Sequence, residues 1–190
     1  MGIRSTLLWI WKLFDPLFYL FSRLHYIGDV NNKPSVFRVR LTKYKGKKYI
    51  LSDGTKIDKN DLLLKIHLHN VRIIAEIGKI KNDLKRAKLT YRLVLHSMPA
   101  LASYLKEHPD EKKIIGIIGI TSLDRGVKAL GFECFRPKSR IYRFFKKLGQ
   151  LPIYVLSNSS LRNFQKYHLT YLFLSKETLY SRYSQDSSEK

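Results

Sequence analysis

The sequence predicts an α/β fold in which a mixed sheet combines an N-terminal antiparallel meander with a C-terminal, largely parallel half of strands and helices. Residues 36–41 and 62–69 alternate apolar and polar side chains, the period of a half-buried strand. From residue 70 apolar residues recur every three or four positions, which predicts a helix. From residue 114 strand-like and helix-like segments alternate, and this order favours parallel strands joined by crossovers.

The first 27 residues are predicted to form an amphipathic, aromatic-rich helix. Lys12, Asp15 and Tyr19 step by three or four along one face, whereas Trp11 and Phe14 fall on the other. Charged residues interrupt the apolar run, so the segment is not typical of a transmembrane span or a signal peptide. Two alternatives remain: the helix packs on the domain core, or it lies on an anionic membrane with its tryptophans at headgroup level.

Residues 28–69 predict a loop followed by short strands. Asp53-Gly54 is a turn dipeptide that joins two of these strands. The helical pattern then runs from Asn70 to about residue 97. A second helix is expected to start at Pro99, with Ser97 near its cap, and to end just before Pro109.

The C-terminal half begins with residues 114–122, a near-continuous apolar run that suits a strand buried on both faces. A short helix ending at Gly131 follows, then a strand at 133–137 and a basic helix over 139–150. The remaining pattern is strand, helix, strand at 152–157, 159–168 and 169–175. The sequence therefore predicts one domain over residues 28–180 and a loose tail over 181–190.

Charge is the strongest clue to a partner. The chain of 190 residues has 36 lysines and arginines against 15 acidic residues, a formal net charge of +21. Such an excess favours a polyanionic partner: nucleic acid, an anionic membrane surface or a phosphate-rich polymer. The alternative is a generally basic protein without a specific anion site.

One cysteine, Cys134, is present, so the fold depends on no internal disulfide and offers no cysteine-based zinc site. Its position inside a predicted strand indicates a buried structural thiol. Neither a metal nor a cofactor is predicted.

His67 and His69 are the first candidates for chemistry, and both are candidates for general acid or base. Residues i and i+2 of a strand point the same way, so the two imidazoles share a face. They could bind one metal, but no spacing in the sequence selects a third ligand.

An anion site fits the neighbours better. Arg38, Arg40 and Lys65 project from strands that are expected to pair, and their polar faces could coincide with that of the histidines. Such a surface suits recognition of a phosphate or a carboxylate. Exposed strand residues without a specific role are the alternative. Asn70 is added to this site, although it is also the expected N-cap of the next helix.

The second candidate is the stretch GITSLDRG at 119–126, which leaves a buried strand and enters a helix. Anions gather at helix N-termini beyond the carboxyl ends of strands. Thr121 and Ser122 would offer hydroxyl groups and Arg125 a positive charge, while Asp124 is a candidate general base. Plain helix capping is the alternative, because the glycine spacing of a P-loop or dinucleotide fingerprint is missing.

Three stretches resemble the YkoP-like family of bacterial proteins: LFDPLFYLFSRLHYIGD, LSDGTKIDKNDLLLKIHLHN and GITSLDRGVKALGFECF. The resemblance covers residues 10–180. It implies a cell-envelope setting, because related domains are attached to polysaccharide deacetylase catalytic domains in Gram-positive bacteria. No catalytic residues are established for the family, so none is carried over. The deacetylase motifs T-F-D-D and H-x-x-x-H are absent here, and LSDG is a turn, so deacetylase chemistry is not expected.

Three hypotheses follow. The first is a basic binding domain for an anionic or phosphate-bearing envelope component, such as a lipid headgroup, glycan precursor or polymer, in the cytoplasm or on the inner face of the plasma membrane. The second is a transferase or hydrolase acting on such a ligand through His67 or His69. The third is a nucleic-acid binder, which is less favoured because basic residues are spread along the chain and no dedicated motif is present.

Overall fold

A computed structural model describes residues 24–28, 35–78, 80, 82–121, 126–136 and 170–184. The elements predicted over residues 1–23 and 139–168, and residues 122–125, lie outside these ranges. The described helices are α1 (Asn70–Ile77), α2 (Asp83–Lys106) and α3 (Lys176–Tyr183). The described strands are β1 (His25–Tyr26), β2 (Phe37–Lys43), β3 (Tyr49–Ile50), β4 (Lys56–Ile57), β5 (Leu62–Leu68), β6 (Ile114–Thr121), β7 (Glu133–Phe135) and β8 (Thr170–Ser175).

Six of the described strands form one sheet in the order β1–β2–β5–β6–β8–β7. The β1/β2 and β2/β5 pairs are antiparallel, and β5 runs parallel to β6 after a crossover through α1 and α2. The predicted mixed α/β class is confirmed. The expectation of a largely parallel C-terminal half needs correction, because its described pairs, β6/β8 and β7/β8, are antiparallel. The order of elements shows which strands exist, but not that β8 lies between β6 and β7.

The two faces of the sheet pack against different partners. One face, called the helix face, meets Met98, Leu101 and Leu105 of α2 in one buried cluster. The other, called the hairpin face, meets Leu51 and Ile57 of the β3–β4 hairpin in a second buried cluster. The sheet residues in these clusters include Val39, Leu64, Ile66, Ile117 and Leu174 on the helix face, and Leu63, Ile118 and Phe173 on the hairpin face. Strand β6 is thus covered on both sides, which explains its near-continuous apolar run.

The β3–β4 hairpin is a separate two-stranded sheet that turns at Asp53-Gly54, as predicted. Gly54 has φ +86°, a left-handed conformation that glycine adopts without steric cost. The backbone N–H of Leu51 donates to the carbonyl of Thr55 at 2.9 Å and closes the turn. Among the described residues, the hairpin packs on one part of the hairpin face, and the candidate site lies on another part of it.

The helices between β5 and β6 differ from the predicted pair. The first, α1, ends at Ile77, and α2 begins after Asn82, whose side chain accepts a hydrogen bond from the Lys85 N–H at 3.0 Å. A good N-cap in mid-pattern therefore splits the predicted first helix. Pro99 lies inside α2 instead of starting a helix. Proline has no N–H to donate to the carbonyl of Leu95, four residues earlier. The helix tolerates Pro99 because Leu95 lies on its exposed side, where water can donate the missing hydrogen bond.

Both ends of the described chain also correct the predicted boundaries. His25 and Tyr26, at the end of the predicted N-terminal helix, form β1 and pair with Val39 and Arg38. The edge of β2 offers ladder hydrogen bonds that override a helical pattern. The last helix, α3, was not predicted. It follows β8 directly, with Ser175 as its N-cap, and reaches Tyr183 in the segment predicted as tail.

Two smaller predictions concern residues 127–135. A short 3-10 helix, Val127–Leu130, ends at Gly131, as the glycine predicted. Cys134 lies in β7 as expected and is partly buried against the core of the helix face.

Ser97 ties α2 to the start of β2. Its hydroxyl accepts a hydrogen bond from the buried Val36 N–H at 3.0 Å and donates one to the Leu93 carbonyl at 2.9 Å. Ser97 itself is buried, so it holds a strand from mid-helix and does not cap a helix end. The same strand start is fixed from β5, because the His69 N–H donates to the Val36 carbonyl at 2.8 Å.

We expect Ser97→Ala to destabilise the protein by about 1–3 kcal/mol, because it leaves the buried Val36 N–H without an acceptor. Urea unfolding followed by circular dichroism measures the change. Ser103→Ala, at an exposed position of the same helix, is the matched control for helix propensity. Equal stabilities of the two variants would contradict the role given to Ser97.

Asp53 fastens the hairpin turn to the N-terminus of α3. Its carboxylate accepts hydrogen bonds from the Thr55 N–H at 2.9 Å and the Thr178 hydroxyl at 3.1 Å. Slight burial raises the pKa of Asp53, but hydrogen bonds from Ser175, Thr55 and Thr178 outweigh it, so the pKa lies below its usual value. A negative charge at a helix N-terminus is also favourable.

Because the folded-state pKa of Asp53 is depressed, its contribution to stability is present above the unfolded pKa of about 4 and is lost as pH falls through the folded value. Asp53→Asn should therefore show a shallower acid loss of stability than the parent chain. Thr178→Val should remove part of that loss, because without this hydrogen bond the folded-state pKa of Asp53 lies closer to its unfolded value. Thermal unfolding across the acid range is the measurement, and identical acid profiles for the parent chain and Asp53→Asn would be the contrary result.

Candidate functional site

The register of β2 against β5 brings four basic side chains together on the hairpin face. Arg38 lies directly opposite His67, and Arg40 directly opposite Lys65. Alternation along both strands puts all four on one face, with Phe37, Val39 and Ile66 among those on the other. We call Arg38, Arg40, Lys65 and His67 the cationic corner. The sequence predicted these residues as candidates but left the register open.

Tyr26 extends the corner toward the sheet edge. It is the β1 partner of Arg38, whose Nη2 donates a hydrogen bond to the Tyr26 hydroxyl at 2.5 Å. The guanidinium carbon also lies 4.8 Å from the centroid of the Tyr26 ring. The ring of His69 meets Tyr26 edge-on, with 5.6 Å between centroids. Tyr26 therefore links Arg38 to the second histidine.

Burial divides the corner into supporting and accessible groups. Arg38 is only 3% exposed, whereas Arg40, Lys65 and His67 keep part of their surface. The Nε atoms of Arg38 and Arg40 and the Nε2 atom of His67 are themselves buried. A cation in such surroundings is weakly screened and acts strongly on a nearby anion. Arg38 is consequently placed to set the potential and hold Tyr26, and its partly exposed neighbours can touch a ligand.

The N-terminus of α1 lies next to the corner. Its N-cap is His69, whose carbonyl accepts from the Ile73 N–H at 3.1 Å, and Asn70 is the first helical residue. The prediction of Asn70 as the N-cap is therefore wrong by one position. His69 makes no capping hydrogen bond through its side chain. The positive end of this helix adds to the potential of the corner.

A cleft of about 850 Å³ opens where β1 stops covering β2. Among the described residues, β1 pairs only with Arg38 and Val39, so the rest of β2 forms the edge of the cleft. Arg40 belongs both to the corner and to the cleft wall. The cleft is lined by His25, Arg40, Leu41, Thr42, Lys43, Tyr104, Glu107, His108 and Pro109.

The cleft wall is mostly a set of hydrogen-bond donors. Burial raises the pKa of Tyr104, so its phenol stays protonated. The Nδ1 of His108 accepts from the Asp110 N–H at 3.0 Å, which leaves the proton of a neutral ring on Nε2. Glu107 is the one carboxylate among the described wall residues. Sequence reasoning missed Tyr104 and His108, because nothing in the pattern indicated that the end of α2 would face β2.

Of the second predicted group, Thr121 is the member that the structure describes, and it faces away from the corner. Thr121 ends β6 at the same end of the sheet as His67, because β5 and β6 are parallel. Alternation, however, aligns it with Gly119, which approaches Ile66 and Leu172 on the helix face. Ser122, Asp124 and Arg125 lie outside the described residues. The general base proposed from Asp124 thus stays a prediction.

In the described ranges, no three His, Cys, Asp or Glu side chains lie close enough together to hold a metal ion. Of the helices within those ranges, none has the length and apolar character needed to cross a bilayer.

The fold and the corner define a class: a small basic α/β domain with a mixed sheet. Helices pack on one face of this sheet, and the other face carries a hairpin and, beside it, a cluster of basic side chains. The family model of the YkoP domain matches residues 4–183. The chain is also 46% identical over 183 residues to the Bacillus subtilis protein named "Uncharacterized protein YkoP", covering 95% of this chain and 98% of that protein. The chain therefore belongs to the YkoP family, as the three stretches predicted. No solved structure matches it.

We expect Arg38→Lys to destabilise the protein by about 1–2 kcal/mol, because lysine cannot reproduce both the hydrogen bond to Tyr26 and the stacking on its ring. Arg72→Lys is the matched control, since Arg72 makes a partly exposed i,i+4 ion pair with Glu76 that either cation can form. Urea unfolding measures both. Equal effects would show that the Arg38–Tyr26 contact contributes no more than a surface pair.

Proposed function

We propose that this protein binds an anionic ligand through the cationic corner and the adjacent cleft, and that the recognised group is a phosphate or a carboxylate. The observation that carries the proposal is the register that sets Arg38 against His67 and Arg40 against Lys65. Two arginines, a lysine and a histidine at neighbouring positions of the sheet offer several charge-assisted hydrogen-bond donors to one anionic group.

Roles can be divided by burial. Arg40 is the central ligand-binding residue, because it alone belongs to both the corner and the cleft wall. Its planar guanidinium matches a phosphate or carboxylate in two-point contact. Lys65 and His67 supply further charge and a hydrogen-bond donor. Arg38 is a positioning residue that works through Tyr26, and the α1 N-terminus adds positive potential.

The setting proposed for this ligand is the cell envelope, which is what the family resemblance implies. Lipid headgroups, glycan precursors and envelope polymers all offer phosphates or carboxylates. The net charge of +21 would draw any of them toward the protein by long-range attraction, which salt weakens. Recognition of a particular group would then rest on the corner and the cleft.

An enzymatic alternative uses the same surface. His67 or His69 would act as general acid or base on a phosphate-bearing substrate, with Arg40 holding the anion. His69 contacts the Tyr26 ring and lies at the α1 N-terminus, so its position is fixed by two elements. The binding proposal needs fewer assumptions, because it requires charge and shape but no bond cleavage.

We expect glycerol phosphate to shift the backbone amide resonances of Arg40, Lys65 and His67 in an NMR titration. Arg40→Gln and Lys65→Gln should each weaken binding by roughly tenfold or more, since each removes a charge-assisted hydrogen bond of about 1.5–3 kcal/mol. Arg40→Lys should lie between Arg40→Gln and the parent chain. Inorganic phosphate and acetate serve as competing probes that separate phosphate from carboxylate recognition.

Arg92→Gln, at an exposed position on α2, has the same charge change and should leave binding almost unaltered. If Arg92→Gln weakens binding as much as Arg40→Gln, net charge alone explains the effect and the proposed site is wrong. Resonance shifts confined to residues far from the corner would also contradict the proposed site. If the protein releases phosphate from glycerol phosphate and His67→Ala abolishes this release, the result supports the enzymatic alternative instead.

A further inference from the structure

A second basic surface lies on the β3–β4 hairpin and the loops that flank it. Residues 43–59 contain six lysines and two aspartates. All six lysines are exposed: Lys43, Lys45, Lys47, Lys48, Lys56 and Lys59. Lys43 also lines the cleft, so the separate surface consists of the other five lysines and Ile50. We call these six residues the hairpin surface.

The loop that carries these lysines is held in place. Tyr44 is buried, and its hydroxyl donates to the Lys47 carbonyl at 2.9 Å. The ring lies over Gly46 so closely that a Cβ there would overlap with the Tyr44 hydroxyl oxygen. The backbone of Tyr44 is bonded on both sides, to the Asp61 carbonyl at 2.8 Å and from the Asn60 N–H at 2.7 Å. The backbone that carries the lysines of this loop is therefore held in one conformation.

The hairpin turns one apolar side chain outward among these charges. The inward pair is Tyr49 and Ile57, and Ile57 is fully buried. The outward pair is Ile50 and Lys56, and Ile50 is 57% exposed. Lys48 is partly neutralised by an ion pair with Asp58 at 2.8 Å. A large exposed aliphatic side chain that lies opposite Lys56 and two positions from Lys48 fits a partner that is both anionic and apolar.

We infer that the hairpin surface docks onto an anionic lipid bilayer, with the lysines at the headgroups and Ile50 entering the boundary between headgroups and acyl chains. Lysines near a bilayer are attracted by its negative surface potential. Their aliphatic stems can lie along apolar surface while the ammonium groups stay in water. This inference goes beyond the proposed ligand site and does not depend on it.

A bilayer fits this surface better than a nucleic acid does. Single strands are bound by stacking their bases on exposed aromatic rings. Tyr49, the aromatic residue of the hairpin strands, packs inward against Phe135 and Phe173 at ring-centroid distances of 4.5 and 5.4 Å. Ile50 has no favourable partner on a phosphodiester backbone, whereas insertion into a bilayer buries it.

The test is sedimentation of the full chain with vesicles. Vesicles of equimolar phosphatidylcholine and phosphatidylglycerol should bind it, and vesicles of phosphatidylcholine alone should not. The triple variant Lys45→Gln, Lys47→Gln, Lys56→Gln should bind roughly a hundredfold more weakly, at about fivefold for each lysine near the surface. Lys48 is left unchanged because it is paired with Asp58.

A matched triple variant, Lys85→Gln, Lys88→Gln, Lys106→Gln, has the same net charge and alters exposed positions of α2, which packs on the opposite face of the sheet. It should keep most of the binding. Ile50→Ser should lower the binding that persists at high salt by roughly tenfold, and Ile50→Leu should restore it. Circular dichroism with thermal unfolding checks that each variant is folded.

Three outcomes would overturn the inference. Equal losses in the two triple variants would show that net charge alone binds the vesicles. Unchanged binding in Ile50→Ser would remove the apolar contact. Tighter binding to polyuridylic acid than to anionic vesicles, lost in the hairpin variant, would make the surface a nucleic-acid interface. The two sites are separated in an Arg40→Gln background, which should lose glycerol phosphate: there the hairpin triple variant should still weaken vesicle binding by about the same factor.

Discussion

The antiparallel register between β2 and β5 is the constraint on which the rest of the structure depends. It sets Val39 against Ile66 on the helix face and Arg38 against His67 on the other. A slip of one residue would exchange the two faces and bury the cations under α2. Apolar packing on the helix face therefore fixes where the charges stand. The pairing of β2 with β5 therefore places both the core residues on one face and the site residues on the other.

Within the described residues, the hairpin divides the second face of the sheet into two parts. Leu51 and Ile57 cover the sheet around Leu63, Ile118 and Phe173, so this half of the face becomes core. The other half carries the cationic corner. Asp53 and Tyr44 hold the hairpin and its leading loop in place. The same element thus limits the corner on one side and presents its own lysines on the other.

The corner contains a charged side chain that is almost completely buried. Arg38 is almost completely enclosed and is engaged with Tyr26, and the N-terminus of α1 lies alongside. Cations in such a site are screened less by solvent and salt than those on an open surface. Membership of the YkoP family extends over nearly the whole chain, so the corner, the cleft and the hairpin all lie within the matched domain. We propose that they divide the work between recognition of an anionic group and attachment to a surface.

The sequence by itself determined the elements whose pattern is local: strands β2, β5, β6 and β8, the Asp53-Gly54 turn and the basic residues at strand positions. Periodicity reports which residues share a face, because it follows from the geometry of one strand or helix. It could not say that Arg38 would meet His67, that β8 would lie between β6 and β7, or that Thr121 would align with the helix face. The N-cap at Asn82 and the helix through Pro99 were missed because capping and packing outweighed propensity there. Only the tertiary structure decided these points, since neighbours in a sheet are chosen by packing between segments far apart in the chain.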